Sequence, residues 1–282
     1  MGSDLTAIIT RGSQSSFLYS FSFLPKDQRN ALNTVYAFCR TTDDIVDSEA
    51  DRDKKTIFLR KWRIELGKAL RGESRFAILN QLAEVTKKFN IPTQHFYELI
   101  QGVEMDLTQT RIENFGQLKK YCYLVASTVG LMSIKIFGPT NERVEKYAEN
   151  LGIALQLTNI LRDIKADAKI NRIYIPQEDL KRFGYTEENI LNNEYNSNFI
   201  NLMEFETKRA EEYYRTAQNS LQPEDKRFLF APKIMERIYY HTLLRIKANR
   251  YNVYKKSLKL PRYLQLMIAI KYWVKLRLLK TV

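Results

Sequence analysis

The chain has 282 residues, and its 45 Lys and Arg outnumber its 32 Asp and Glu, which gives a net charge of +13. Only 10 Gly and 7 Pro are present, so tight turns are scarce and a strand-rich fold is disfavoured. Two cysteines and two histidines exclude a disulfide framework and argue against a zinc site of the usual kind. No signal peptide or membrane-spanning stretch is evident, so a cytoplasmic protein is expected.

Helical periodicity runs through most of the sequence and predicts an all-α fold that forms a single domain over residues 1–282. The first long helix is expected to begin near Pro25, because proline is favoured in a first helical turn, and to run through DDIVD. Further helices are predicted over residues 54–71, 75–90, 93–110, 115–137, 142–167, 198–220, 232–255 and 261–279. The segment NRIYIPQEDLKRFGYTEEN interrupts the pattern and is expected to be a loop with one short extra helix.

A first acidic cluster lies at the end of the first predicted helix. Asp43 and Asp47 are four residues apart, so they share one helix face, where like charges repel. A solvated acidic face, or carboxylates paired with nearby arginines, would also explain this cluster.

A second polar stripe lies in QLTNILRDIKAD, where Asn159, Asp163 and Asp167 follow one another at intervals of four residues. Apolar residues fill the positions between them, which predicts a largely buried helix. Buried carboxylates are costly unless they are paired or bind a metal.

Together the two stripes predict a site for a hard cation held by oxygen ligands across a helical bundle. Oxygen ligands without His or Cys point to Mg²⁺, which commonly bridges protein carboxylates to substrate phosphates. A diphosphate is therefore the expected ligand. Arg40, Arg162 and Lys165 lie close in sequence to the aspartates and could hold its oxygens, or could simply balance the acidic charge.

Five stretches of the chain resemble the squalene/phytoene synthase family, the head-to-head prenyl synthases. They are SSFLYSFSFLPKDQRNALNTVYAFCRTTDDIVD, QGVEMDLTQ, YCYLVASTVGLM, LGIALQLTNILRDIKAD and NRIYIPQEDLKRFG. The resemblance extends from Ser15 to about Leu279. It implies a helical bundle of the isoprenoid-synthase type around a deep apolar cavity, with the two acidic stripes facing each other at its mouth. It also implies coupling of two allylic prenyl diphosphates.

The resemblance carries the family's functional residues onto matching positions of this sequence. It implies a catalytic set of Asp43, Asp47, Tyr121, Asn159 and Asp163. Five residues would bind two or three Mg²⁺ ions: Asp43, Asp47, Asn159, Asp163 and Asp167. Six residues would contact substrate: Ser16, Arg40, Gln156, Arg162, Tyr239 and Lys256. Leu18 stands where a second family serine is common, which removes one polar contact.

Within the family, the motifs look most like those of bacterial presqualene diphosphate synthases, which join two farnesyl diphosphates and release diphosphate. Phytoene synthase, which uses two geranylgeranyl diphosphates, and squalene or dehydrosqualene synthase are the alternatives on the same fold. NADPH is not expected unless the product is squalene.

The basic excess lies at the end of the chain. Residues 226–282 contain 15 Lys or Arg and one acid, Glu236. The stretch PRYLQLMIAIKYWVKLRLLK predicts a helix at an anionic membrane surface, which would place the protein peripherally on the inner membrane face. A terminal helix packed on the bundle is the alternative. A non-catalytic, membrane-associated helical protein is a more remote one. No nucleic-acid-binding motif accompanies the charge, so nucleic acid is not expected as a partner.

Overall fold

The computed structural model describes Phe21, residues 24–138 and residues 141–279, apart from the side chains of Arg227, Trp273 and residues 275–279. From Lys26 onward this part of the chain contains twelve α-helices and no β-strand. The helices are α1 Lys26–Asp47, α2 Arg52–Ala69, α3 Ala77–Phe89, α4 Gln94–Thr108, α5 Phe115–Cys122, α6 Thr128–Phe137, α7 Glu142–Lys169, α8 Gln177–Arg182, α9 Glu187–Leu191, α10 Ser197–Asn219, α11 Phe230–Ala248 and α12 Arg262–Leu279. The predicted all-α fold is confirmed.

Helix α1 begins directly after Pro25, which takes an extended conformation as its N-cap. Its apolar face is buried against α3, α4 and α6. Near its C-terminal end, Thr42 accepts a buried hydrogen bond of 2.9 Å from the indole of Trp62 on α2. This bond fixes the last turns of α1, where the first acidic cluster lies.

Helix α7 is the 28-residue centre of the bundle, with α6, α10 and α11 packed around it. Gly152 lets it approach the π-helical turn Tyr123–Ser127 very closely, because a Cβ there would lie 2.5 Å from Ser127 Cα. Gly102 on α4 does the same from the other side, since its Cβ would lie 2.7 Å from Leu124 Cβ. The two glycines therefore clamp this turn between α4 and α7.

The helix predicted over residues 115–137 is present, but it consists of α5, the π-helical turn and α6. A π turn adds a residue to one turn of a helix and is common near functional sites. Here it follows Tyr121 by two residues.

Two predictions about element boundaries were wrong. The helix expected over residues 232–255 ends at Ala248, because Arg250 and Tyr251 take left-handed conformations with φ of 51° and 64°. The interrupting segment holds two short helices, α8 and α9, rather than one. Pro176 precedes α8, and a capping box at Thr186 begins α9.

Candidate active site

Two adjoining spaces open inside the bundle. The first, here called the polar mouth, has a volume of about 380 Å³ and is lined mainly by charged side chains of α1, α4, α7 and the loop after α7. The second, the apolar cavity, has a volume of about 190 Å³ and is lined mainly by aliphatic and aromatic side chains of α1, α6, α7, α11 and the π-helical turn. Asp43, Gln156 and Asn159 line both. The two spaces therefore meet at these three residues.

The first acidic cluster enters the polar mouth from α1. Asp43 and Asp47 both line it. Burial, together with the charge of Asp47, raises the pKa of Asp43 to about 7. Arg40 also lines the mouth, one turn before Asp44, and pairs with that carboxylate at 2.6 Å. Asp44 itself does not line the mouth.

The second stripe enters from the opposite side, on α7. Asn159, Asp163 and Asp167 line the polar mouth together with Gln156. Asn159 Nδ2 donates to Gln156 Oε1 at 3.3 Å, while Asn159 Oδ1 is buried without a partner among the described residues. Burial and the charge of Asp163 raise the pKa of Asp167 to about 7. The two stripes therefore line the same space from α1 and from α7.

Arg162 lies beside this stripe and holds Asp163 through one edge of its guanidinium group. Its Nε donates to Asp163 Oδ1 at 2.9 Å and its Nη2 donates to Oδ2. The arrangement is bidentate, which fixes the carboxylate in one orientation.

Three further residues of the polar mouth were not predicted: Asp106, Arg172 and Tyr174. Arg172 Nη1 lies 3.3 Å from Asp47 Oδ1 and 3.8 Å from Asp106 Oδ2, so it bridges α1 and α4. Asp106 was detectable in the sequence, because it follows the buried Leu99 and Val103 at helical spacing.

Tyr121 and Tyr174 stack with ring centroids 4.9 Å apart and both point at Asp106. Tyr174 donates to Asp106 Oδ1 at 2.7 Å, and Tyr121 donates to Oδ2 at 3.3 Å. Burial raises the pKa of Asp106, Tyr121 and Tyr174, and it raises the pKa of Tyr121 well above the ordinary value. Both phenols therefore stay protonated and act as hydrogen-bond donors.

The other predicted residues are placed differently. Tyr239 lines the apolar cavity but not the polar mouth, and Lys256 is exposed in the loop after α11 and lines neither. Lys165 donates to the carbonyl of Tyr254 at 2.8 Å and does not line the mouth, so it is not available to hold a ligand there. Ser16 lies outside the described residues.

The donor set of the polar mouth fits Mg²⁺ bound together with an anionic ligand. Five aspartates and three arginines line the mouth, so acidic groups outnumber basic ones by two, and the mouth when fully ionised repels an anion. Within the described part of the chain, no three His, Cys, Asp or Glu side chains converge as a metal cluster. The protein instead offers carboxylate and amide oxygens from α1 on one side and from α7 on the other. Mg²⁺ characteristically uses one or two protein carboxylates and takes further oxygens from phosphates and water.

The apolar cavity has the length of an extended hydrocarbon tail. On α7 its lining runs from Asn159 to Tyr147, two positions that are twelve residues apart and therefore separated by about 18 Å along the helix. Leu151, Leu155 and Val129 form parts of its wall. The combination of a charged mouth with a long apolar slot suits a ligand that has an anionic head and a long apolar tail.

Comparison with known sequences agrees with this geometry. The sequence profile of the squalene/phytoene synthase family matches residues 10–264. A 15-cis-phytoene synthase of Synechococcus elongatus is 33% identical over 272 residues, covering 92% of this chain and 88% of the relative. A phytoene synthase of Mycobacterium tuberculosis is 32% identical over 268 residues, covering 94% of this chain and 88% of the relative.

Solved structures show the same fold. A dehydrosqualene synthase in complex with a ligand superposes with a TM-score of 0.84 at 28% identity, over 98% of this chain and 96% of the other. A squalene synthase from Alicyclobacillus acidocaldarius superposes with a TM-score of 0.81 at 26% identity, over 89% of this chain and 95% of the other.

Proposed function

The chain belongs to the squalene/phytoene synthase family of head-to-head prenyltransferases, and we propose that the polar mouth and the apolar cavity together form its active site. The observation that carries this proposal is the meeting of the two spaces at Asp43, Gln156 and Asn159. A prenyl diphosphate bound there has its diphosphate among the charged groups and its tail between the helices.

We assign the metal-binding role to five residues of the two facing stripes: Asp43, Asp47, Asn159, Asp163 and Asp167. Mg²⁺, when bound, offsets the negative charge of the mouth and stabilises the departing diphosphate. The buried, unpartnered Oδ1 of Asn159 and the raised pKa of Asp43 and Asp167 support this assignment, because all three reflect oxygens whose burial is not compensated by the protein.

Arg40, Arg162 and Gln156 are placed to bind diphosphate oxygens, and Arg172 is added to them by its position. Contacts from Ser16, Tyr239 and Lys256 rest on the family resemblance. Arginine charges in a partly dry site stabilise the anion that develops as the C1–O bond of the first substrate breaks.

The carbon–carbon step takes place where the two spaces meet. The C2=C3 alkene of the second substrate attacks the allylic cation at C1 of the first, which leaves a cation at C3 of the second chain. Loss of a proton from C1 of the first chain then forms the bond from that carbon to C3 and closes a cyclopropane. The released diphosphate takes this proton in our proposal, because Tyr121 is a protonated phenol whose hydroxyl already donates to Asp106. The apolar walls exclude water, which would otherwise quench the cation.

For the product, we propose presqualene diphosphate from two farnesyl diphosphates. The sequence motifs support it, and the structural neighbours named above are a dehydrosqualene synthase and a squalene synthase. Phytoene from two geranylgeranyl diphosphates is the second candidate, because the curated relatives compared above are named phytoene synthases.

Product analysis tests both candidates. The purified protein is incubated with Mg²⁺ and either farnesyl or geranylgeranyl diphosphate, with and without NADPH, and the lipids are identified by mass spectrometry. Presqualene diphosphate that persists with NADPH supports the first candidate, and squalene formed only with NADPH replaces it. A C40 product from geranylgeranyl diphosphate alone establishes the second. Inactivity on both substrates contradicts the proposed active site.

A further inference from the structure

Helix α12 presents apolar side chains on two faces, and only one of them is covered. Leu264, Ile268, Ala269 and Tyr272 pack toward α11 in a small cluster of their own. The other face carries five side chains that are 41% to 65% exposed: Tyr263, Leu266, Met267, Ile270 and Val274. They recur at intervals of three and four residues, so they form one continuous apolar stripe along the helix.

Positive charge borders this stripe without acidic partners. Lys255, Lys256, Lys259, Arg262 and Lys271 are exposed. Within the described residues none of them forms an ion pair, whereas exposed carboxylates elsewhere, such as Asp27, Asp51 and Glu204, pair with lysines. From Lys255 to the last residue the sequence has 8 Lys or Arg and no Asp or Glu. The surface is therefore both apolar and strongly basic.

Helix α11 separates this surface from the apolar cavity. Ala231, Met235 and Tyr239 of α11 line the cavity, while Ile234 and Ile238 belong to the cluster with α12. Positions four residues apart share a face of a helix. One face of α11 therefore forms the cavity wall and the adjacent face carries α12, so the basic apolar surface lies one helix away from the site.

We propose that α12 and the loop before it form a docking surface for an anionic lipid bilayer, with the apolar stripe entering the interface and the basic residues contacting lipid phosphates. Amphipathic helices with basic borders bind such interfaces, and each cationic side chain near the surface adds attraction. A second copy of this chain is a poor occupant, because it would bring an equally basic surface against this one.

The docking surface lies outside the proposed active site, and the reason for membrane binding rests on the proposed function. Two joined prenyl chains form a product that is far more soluble in a bilayer than in water. A surface one helix from the cavity keeps the enzyme at the phase that receives the product.

Vesicle co-sedimentation of the full chain tests the docking surface without substrate, so its outcome is independent of the enzymatic proposal. Vesicles of phosphatidylcholine alone are compared with vesicles that contain roughly 30% phosphatidylglycerol. We expect binding to the anionic vesicles only, and its loss when NaCl is raised from about 0.1 M to about 0.5 M. The double variant Met267→Glu/Ile270→Glu is expected to weaken this binding by at least about tenfold.

The matched control is Ile57→Glu/Ile64→Glu on α2, where both side chains are also about half exposed, at 51% and 53%. It introduces the same charges on a different surface and should keep wild-type vesicle binding. Equal binding by both double variants, or no binding by the wild type, overturns the proposal. It is also overturned if light scattering shows a wild-type dimer that Met267→Glu/Ile270→Glu dissociates without changing vesicle binding, because the stripe is then an interface between copies of the chain.

Discussion

Charged groups are buried at both ends of the apolar cavity, and the two ends differ in how well those groups are satisfied. At the end far from the polar mouth, which we call the floor, Glu236 accepts hydrogen bonds from Lys233 at 2.7 Å, Tyr147 at 2.9 Å and Gln218 at 2.9 Å. Both carboxylate oxygens are used, and the charge is paired. At the polar mouth, Asn159 Oδ1 has no partner and Asp43 and Asp167 lie among other carboxylates.

This difference distinguishes buried polar groups that stabilise the fold from buried polar groups that are available to a ligand. A buried charge with all its partners in the protein stabilises one packing arrangement and binds nothing else. A buried oxygen without a partner is a cost to the folded state that a ligand can offset. The floor is therefore expected to respond to mutation in stability, and the mouth in turnover.

The largest effect is expected from Asp163→Asn at the mouth. It removes one carboxylate of the second stripe and the charge that orients Arg162. Turnover of the accepted prenyl diphosphate should fall by at least about 10³-fold, as for other losses of a group that stabilises developing charge. The melting temperature should fall only modestly, because Arg162 loses its bidentate partner but still lies near the carboxylate of Asp167. Initial rates at saturating Mg²⁺ and thermal unfolding of the same samples measure both.

The exposed Asp53 on α2 offers a matched control, since Asp53→Asn removes a carboxylate outside the cavity and should leave turnover unchanged. Retained activity in pure Asp163→Asn protein would remove this residue from the proposed metal site.

At the floor, Glu236→Gln should have the opposite profile. The amide keeps one acceptor oxygen, so it can accept from Tyr147 or from Gln218 but not from both. Lys233 is also left as a buried charge without an anionic partner, which costs about 3–5 kcal/mol in comparable cases. We expect a clear loss of stability in urea unfolding, with specific activity of the folded fraction largely retained. The double variant Lys233→Met/Glu236→Leu should recover much of that loss, because it removes both charges together. A failure to recover would mean that the floor depends on the charges themselves.

These expectations also show what the sequence could reveal. Both acidic stripes were predictable, because their spacing placed carboxylates on one face of apolar-flanked helices. Asp106 was predictable by the same reasoning. Arg172 and Tyr174 were not, because they lie in an irregular segment after α7, where no periodicity indicates which way a side chain points. The early end of α11 depends on left-handed conformations at Arg250 and Tyr251, which neither residue type favours.

A smaller effect is expected in the pH dependence of folding stability, which the buried carboxylates of the polar mouth should dominate. In the metal-free protein the pKa of Asp43 is raised to about 7, so the folded state holds a proton that the unfolded state releases at lower pH. Stability should therefore fall as pH rises from about 5 to 8, by an amount on the order of a few kcal/mol, and the fall should level off above the folded pKa. Asp167 adds to the same trend, since its pKa is also about 7.

Asp43→Asn should flatten this pH dependence and stabilise the metal-free protein at pH 8, while Asp53→Asn should leave the slope unchanged. Urea unfolding in EDTA across the pH range measures it. A wild-type stability that rises between pH 5 and 8 would show that the carboxylates of the mouth are better compensated than their burial indicates.

The smallest effect is expected from Tyr147→Phe, which is the sharpest test of the comparison because Tyr147 belongs to the floor and also lines the space proposed to hold substrate. Its ring lines the apolar cavity and its hydroxyl donates to Glu236. Loss of the hydroxyl removes one of three donors to a carboxylate that keeps Lys233 and Gln218, so a destabilisation of about 1–2 kcal/mol is expected. Turnover should be nearly unchanged, because the ring remains and Gln156, the nearest residue of the mouth on α7, lies nine residues away, about 14 Å along the helix. If Tyr147→Phe instead lowered turnover while stability held, the polar floor would take part in positioning substrate, and the satisfied cluster would have a functional role after all.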